Sequence, residues 1–141
     1  DLKATSDKYP FEILVAEDNF INQKLVRKLF EVLGYKTDLA ANGYETIESL
    51  KRKPYHIIFM DVQMPEMDGL EATRVIKERW KNNAPVIIAM TANAMQGDRE
   101  KCLAAGMDDY ISKPLRLEDI IKVINYWGAS KEILFLDIKA S

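Results

Sequence analysis

The stretch IIFMDVQMPEMDG, Ile57 to Gly69, decides how the chain reads. An apolar run, Tyr55 to Met60, ends on a carboxylate, Asp61; Pro65 follows, and then MDG (67–69), a turn. The run is apolar at consecutive positions, not alternate ones. That is the pattern of a strand buried on both faces, as in a parallel sheet covered by helices. Such a strand has no packing use for a charge at its last position. The other strand ends are therefore the place to look next.

Working outward, short apolar runs alternate with helical stretches. Upstream, EILVAE (12–17) is a strand candidate, and INQKLVRKLFEVLG (21–34) a helix with Ile21, Leu25, Leu29 and Leu33 on one face and Gly34 as a stop. KTDLAA (36–41) is a weaker strand, and GYETIESLKRK (43–53) an amphipathic helix through Tyr44, Ile47 and Leu50. Downstream, GLEATRVIKERWK (69–81) is helical, with Leu70, Ile76 and Trp80 inward. PVIIAMTA (85–92) is another continuous apolar strand, MQGDREKCLAAG (95–106) a helix, DYISK (109–113) a short strand, and RLEDIIKVINYWG (116–128) a last helix through Leu117, Ile120, Ile124 and Trp127. Five β-α pairs with right-handed crossovers predict an α/β, doubly wound, three-layer fold. Ligands of such sheets bind beyond the carboxyl ends of the strands.

Bulk properties agree. The 141 residues fit one domain, with 48% apolar and 30% charged residues. The net charge of −2 gives no basic excess for nucleic acid. Cys102 is the one cysteine, so no internal disulfide calls for an oxidising compartment, and its helix places it in the core. No apolar run reaches bilayer length and the start, DLKATSDKYP, is polar, so the expectation is a cytoplasmic domain without direct membrane contact. Residues 1–10 read as a linker, 11–128 as the domain, and 129–141 as an extension of unknown role whose apolar ILFL needs cover.

The strand ends carry a set. The first ends in Glu17 and Asp18, the third in Asp61, the fourth in Thr91, the fifth in Lys113 before Pro114. Three carboxylates, a hydroxyl and an ammonium thus meet at one edge of the sheet. Crowded carboxylates repel unless a cation sits among them, and oxygen-only ligands suit Mg2+, a cation of phosphoryl chemistry. The Lys113-Pro114 bond is a candidate for the cis form.

With these residues in place, the chain resembles the receiver domain of two-component response regulators, of the type carried by hybrid sensor histidine kinases. The resemblance covers Phe11 to Gly128 and rests on ILVAEDN, IIFMDVQMPEMDG, MTANAM and DDYISKPL, in that order. It implies a flavodoxin-like sheet of order 2-1-3-4-5. It implies that Asp61 accepts a phosphoryl group from a phosphohistidine, that Lys113 and Thr91 bind that group, and that Thr91 and Tyr110 form a switch. Glu17, Asp18, Asp61 and the backbone carbonyl of Gln63 would hold Mg2+. Glu17 departs mildly, since many receivers have aspartate there. The implied partners are a histidine kinase core or a histidine phosphotransfer domain, with a weak homodimer left open. The implied setting is one station of a phosphorelay, part of a kinase polypeptide that can itself be membrane-tethered, and the domain would assist its own phosphorylation and slow dephosphorylation.

Plainer roles exist for each residue. Asp61 alone would cap a loop, Glu17-Asp18 or Asn19 would cap a helix, Thr91 would fill a strand, and Tyr110 would pack. His56 reads as structural. A phosphohydrolase using the same nucleophile would want an acid two residues after it, where Gln63 stands. A nucleotide hydrolase would want a phosphate-binding glycine loop, which the sequence lacks. A receiver-like module that binds partners without phosphate is the alternative, and it predicts loss of Asp61, Asp18 or Lys113, all of which are present.

Overall fold

The computed structural model describes residues 1–92 and 96–130, with the side chain of Gln96 set aside. The ILFL segment and the last three residues of MTANAM (93–95) lie outside the described residues. In chain order the elements are α1 (Ala4–Lys8), β1 (Ile13–Ala16), α2 (Phe20–Val32), β2 (Thr37–Ala40), α3 (Gly43–Arg52), β3 (Ile57–Asp61), α4 (Gly69–Trp80) with a 3-10 turn (Lys81–Asn83), β4 (Val86–Thr91), α5 (Gln96–Ala105), β5 (Asp109–Ser112) and α6 (Leu117–Gly128). The strands form one parallel sheet of order β2-β1-β3-β4-β5, the doubly wound arrangement expected.

The core lies in two layers because successive strand residues point to opposite faces. Ile13, Val15, Ile57, Phe59, Ile88 and Met90 pack with Val26 and Phe30 of α2 and Ile120 and Ile124 of α6. Leu14, Ile58, Met60, Ile87 and Ala89 pack with Ile47 and Leu50 of α3, Ala72 and Ile76 of α4, and Cys102 of α5. Helix starts are set by side-chain caps: Asn19, Asn42 and Asp68 each accept a hydrogen bond from the backbone N–H three residues on.

Three expectations are revised. The buried residues of α2 are Val26 and Phe30; of the expected face Leu29 and Leu33 do pack in the core, whereas Ile21 and Leu25 are 74% and 54% exposed. The helix is apolar on more than one face, and periodicity alone followed a stripe that is buried only at its C-terminal end. Tyr44 likewise faces solvent rather than the core. The stretch read as a linker carries α1, which is tied down: the Tyr35 hydroxyl donates to the Tyr9 carbonyl at 2.6 Å and to the Thr5 carbonyl at 3.2 Å. The Tyr9 ring also lies against Gly128, where a side chain would collide with it.

His56 stands before β3, and its Nδ1 accepts from the Glu12 N–H at 2.9 Å. Burial holds its imidazole pKa below the ordinary value, which keeps that nitrogen an acceptor. No helix among the described residues is long and apolar enough to cross a membrane.

Candidate functional site at the carboxyl edge of the sheet

Parallel register brings the strand ends level. Ala16 pairs with Ala40 and with Met60, Asp61 with Met90, and Thr91 with Ser112. The next residues, Glu17 and Lys113, therefore emerge at the same edge as Asp61 and Thr91. The Lys113 N–H donates to the Thr91 carbonyl at 2.8 Å, which anchors the lysine backbone to the end of β4. The Lys113-Pro114 peptide is cis.

The Lys113 ammonium bridges two carboxylates, 2.8 Å from Asp61 Oδ2 and 3.0 Å from Glu17 Oε1. Glu17 Oε2 accepts from the Asn19 N–H at 3.0 Å. Asp61 Oδ1 accepts, more weakly, from the Gln63 N–H at 3.3 Å. Glu17, Asp61 and Thr91 are buried, while Asp18 is exposed. Burial pulls the Lys113 pKa down, but its bonds to Asp61 and Glu17 outweigh that and hold it above the ordinary lysine value, so the group is a fixed cation. The Asp18 pKa is raised as well: partial desolvation, then its hydrogen bond with Glu17, outweigh a backbone hydrogen bond and the Lys113 charge, which lower it.

These are signs of a cation-deficient site. One oxygen each from Glu17, Asp18 and Asp61 can lie within 4.8 Å of the others. Within this cluster the Lys113 ammonium offsets one of three carboxylates, leaving two negative charges for a divalent ion to match. The donors are all hard oxygen, which fits Mg2+ better than a soft metal. The site opens into a cleft of about 740 Å3 that Gln63, Thr91 and Lys113 also line.

The loop after Asp61 is built for close approach. Glu66 takes φ +68° at the centre of a tight turn, with the Met67 N–H donating to the Pro65 carbonyl at 2.7 Å. The Gly69 N–H then donates to the Val62 carbonyl at 2.9 Å. A Cβ on Gly69 would overlap the Asp61 carbonyl oxygen and sit 3.1 Å from its carbonyl carbon, so only glycine lets α4 begin there.

All the residues expected at the site meet there except Tyr110. That residue lies on β5, pairs with Ala89, and so shares a sheet face and a diagonal neighbourhood with Thr91 two positions along. Its ring is half-buried, with the Arg99 guanidinium 5.2 Å from its centroid. Sequence reading missed Gly69 as a requirement of the site and the Asn19 N–H as a support of Glu17. The glycine carried a signal, since it closes the MDG turn; the Asn19 contact carried none.

Fold and edge together define a doubly wound α/β class with an acidic, lysine-bearing site at the strand ends, and sequence comparison gives the family. A sequence model of the response regulator receiver domain matches residues 13–125, and the chain belongs to that family. It is 46% identical over 121 residues to hybrid signal transduction histidine kinase B of Dictyostelium discoideum, covering 78% of this chain and 6% of that protein. It is also 46% identical over 132 residues to hybrid signal transduction histidine kinase G of the same organism, covering 91% of this chain and 4% of that protein. The chain thus spans a small fraction of the length of these relatives. Among solved structures it resembles the receiver domain of the sensor histidine kinase PA1611 from Pseudomonas aeruginosa PAO1, which has a magnesium ion coordinated in its active site cleft (TM-score 0.78, 42% identity, 85% of this chain and 98% of that one). It also resembles the receiver domain of Saccharomyces cerevisiae Ssk1, crystallised with the histidine phosphotransfer protein Ypd1 (TM-score 0.80, 33% identity, 91% of this chain and 95% of that one). The protein is a receiver domain of two-component phosphorelay signalling.

Proposed function

We propose that the domain takes a phosphoryl group from a phosphohistidine onto Asp61. The observation that carries this is the Lys113 ammonium 2.8 Å from Asp61 Oδ2, inside an open cleft that also holds Glu17 and Asp18. An Asp61 oxygen attacks phosphorus in line; the P–N bond of the donor breaks, its electron pair returns to the imidazole, and an acyl phosphate forms. Lys113 keeps its positive charge beside the transferred group. Thr91, at the end of β4, offers a hydroxyl from the neighbouring strand. The carboxylates of Glu17, Asp18 and Asp61, with the Gln63 carbonyl, would hold Mg2+, which supplies positive charge to offset that of the phosphoryl oxygens. Gln63 is a neutral amide and a poor base, so water attack on the acyl phosphate is slow.

The phosphoryl group biases a conformational equilibrium only by binding one state better. A hydrogen bond from Thr91 to the new anion supplies that preference, and Tyr110, its diagonal neighbour, turns inward in response. The domain works in the cytoplasm, as part of a larger kinase polypeptide.

The partner is a histidine phosphotransfer domain or a kinase core, approaching the edge that carries Asp61. Phe20 and Ile21 stand 66% and 74% exposed beside the site. Next to them is a groove of about 270 Å3 lined by Leu25, Leu29, Pro114 and Leu115, an apolar seat for a partner helix. The test is transfer of labelled phosphate from a phosphorylated histidine phosphotransfer domain, together with an NMR titration of the unphosphorylated pair. The expected result is Mg2+-dependent transfer and shift changes centred on Phe20, Ile21 and Pro114. Changes confined to the opposite edge of the sheet would rule the docking out. Partner binding that is unaltered by Asp61→Asn and never accompanied by transfer would favour a phosphate-independent module.

A further inference from the structure

The peptide joining Glu17 to Asp18 is held by a side chain that neither touches the acceptor nor belongs to the carboxylate set. The β1 ladder ends at Ala16, and the Glu17 N–H still donates to the Ala40 carbonyl at 2.9 Å. The Glu17 carbonyl turns instead to the first turn of α2, where Gln23 Nε2 donates to it at 2.6 Å. The Gln23 backbone is itself fixed, its N–H donating to the Asn19 carbonyl at 2.8 Å. Glu17 Oε2 and the Asn19 N–H close the same loop from the other side at 3.0 Å.

We propose that Gln23 is a positioning residue for the acidic pair, setting the strength of divalent-cation binding by clamping the Glu17-Asp18 peptide plane. This rests on the reading that Glu17 and Asp18 hold the cation. The oxygen that Gln23 holds belongs to the peptide plane shared by both acidic residues. That plane fixes ψ of Glu17 and φ of Asp18, the torsions that set the Asp18 Cα–Cβ direction relative to Glu17 and to Asp61 on the neighbouring strand. Lys113 and the Asn19 N–H fix the Glu17 carboxylate. Asp18, exposed at the mouth of the cleft, takes its direction from its backbone and from its hydrogen bond with the Glu17 side chain. Without the Gln23 amide, the Glu17 carbonyl must find water or a new partner, and the pair loses its preset geometry.

Gln23→Met keeps the length of the side chain and removes the donor. Mg2+ affinity would be measured by calorimetry on the intact chain for the unaltered protein, Gln23→Met, Asp18→Asn and Asn83→Met, each also melted in EDTA. Asn83 is exposed on the 3-10 turn, and its variant loses a side-chain amide in the same way, away from the site. Outer partners of metal ligands typically set affinity by about 10- to 100-fold, and a loss near the lower end is expected for Gln23→Met, with little change in its melt in EDTA. Asn83→Met should bind as the unaltered protein does. Unchanged Mg2+ affinity in Gln23→Met, with Asp18→Asn weakened, overturns the positioning role and leaves the acidic pair standing. Unchanged affinity in Asp18→Asn overturns the acidic pair itself. Should Gln23→Met fail to fold, side-chain amide exchange in the unaltered protein decides. Slower exchange at Gln23 than at Asn83 supports the clamp, and equal exchange rejects it.

Discussion

Gly69→Ala is expected to disable the site from one residue outside it. Gly69 is the first residue of α4, where the preference for alanine over glycine, roughly 0.5–1 kcal/mol in a helix interior, is at most partly felt. Here the added methyl would overlap the Asp61 carbonyl oxygen and lie 3.2 Å from Met60 Cγ. Both obstacles belong to the end of β3, which is paired with β4 and cannot yield freely. Either α4 or the Asp61 backbone must retreat by about 1 Å, and overpacking of this kind costs about 1–3 kcal/mol. For a chain of this size that is a fall in Tm of roughly 3–10 °C. The effect on reactivity should be larger, because a misplacement of about 1 Å can cost about 100-fold in rate. The assay is the initial rate of phosphorylation by acetyl phosphate with Mg2+, followed by intact mass, beside a thermal melt. Gly97→Ala is the control, since nothing lies within 4 Å of its Cβ position; its rate should be unaltered and its stability within about 1 kcal/mol. A Gly69→Ala protein that melts and reacts like the unaltered one would refute the close-approach reasoning.

Three further outcomes follow from the charges at the edge. Asp18→Asn should be neutral or stabilising without metal. Its carboxyl has a folded-state pKa above 3.8, so ionising it opposes folding: apo stability should fall as pH rises from 3.8 through the raised value, and melts of the variant across the acid range should lack that slope. Lys113→Met should lower apo stability by about 3 kcal/mol, because it leaves the buried Glu17 and Asp61 carboxylates without a cation, and saturating Mg2+ should recover part of the loss in the same melt. Since the Lys113 pKa is raised above 10.5, its contribution is complete below that pH and lost as pH climbs through the folded-state value. Phosphorylation should move the NMR signals of Thr91 and Tyr110 together, and Thr91→Val should uncouple Tyr110; unmoved signals in the unaltered protein would show that no switch runs through this pair.

The sheet was legible because β1 is apolar throughout and β3 and β4 are apolar at every position but the last, a pattern with few readings other than a doubly covered parallel strand. The edge chemistry was legible for the same reason, since register then places each strand's last residue beside its neighbours'. Helix faces were less so. In α2, Ile21 and Leu25 continue the period of Leu29 and Leu33, yet the burial runs through Val26 and Phe30. Periodicity finds an apolar stripe but cannot say whether the core or another surface claims it. The role of residues 4–9 was hidden because it depends on long-range contacts with Tyr35 and Gly128, not on local pattern. The amide of Gln23 was hidden likewise: a glutamine in a first helical turn has many plain uses, and only geometry shows its reach to the Glu17 carbonyl.

The central claim is that Asp61 is the phosphoacceptor, and intact-mass spectrometry tests it most directly. The protein would be incubated with acetyl phosphate and Mg2+, beside Asp61→Asn. The account predicts the mass of one added phosphoryl group on the unaltered chain and none on the variant. Undiminished labelling of Asp61→Asn would contradict it.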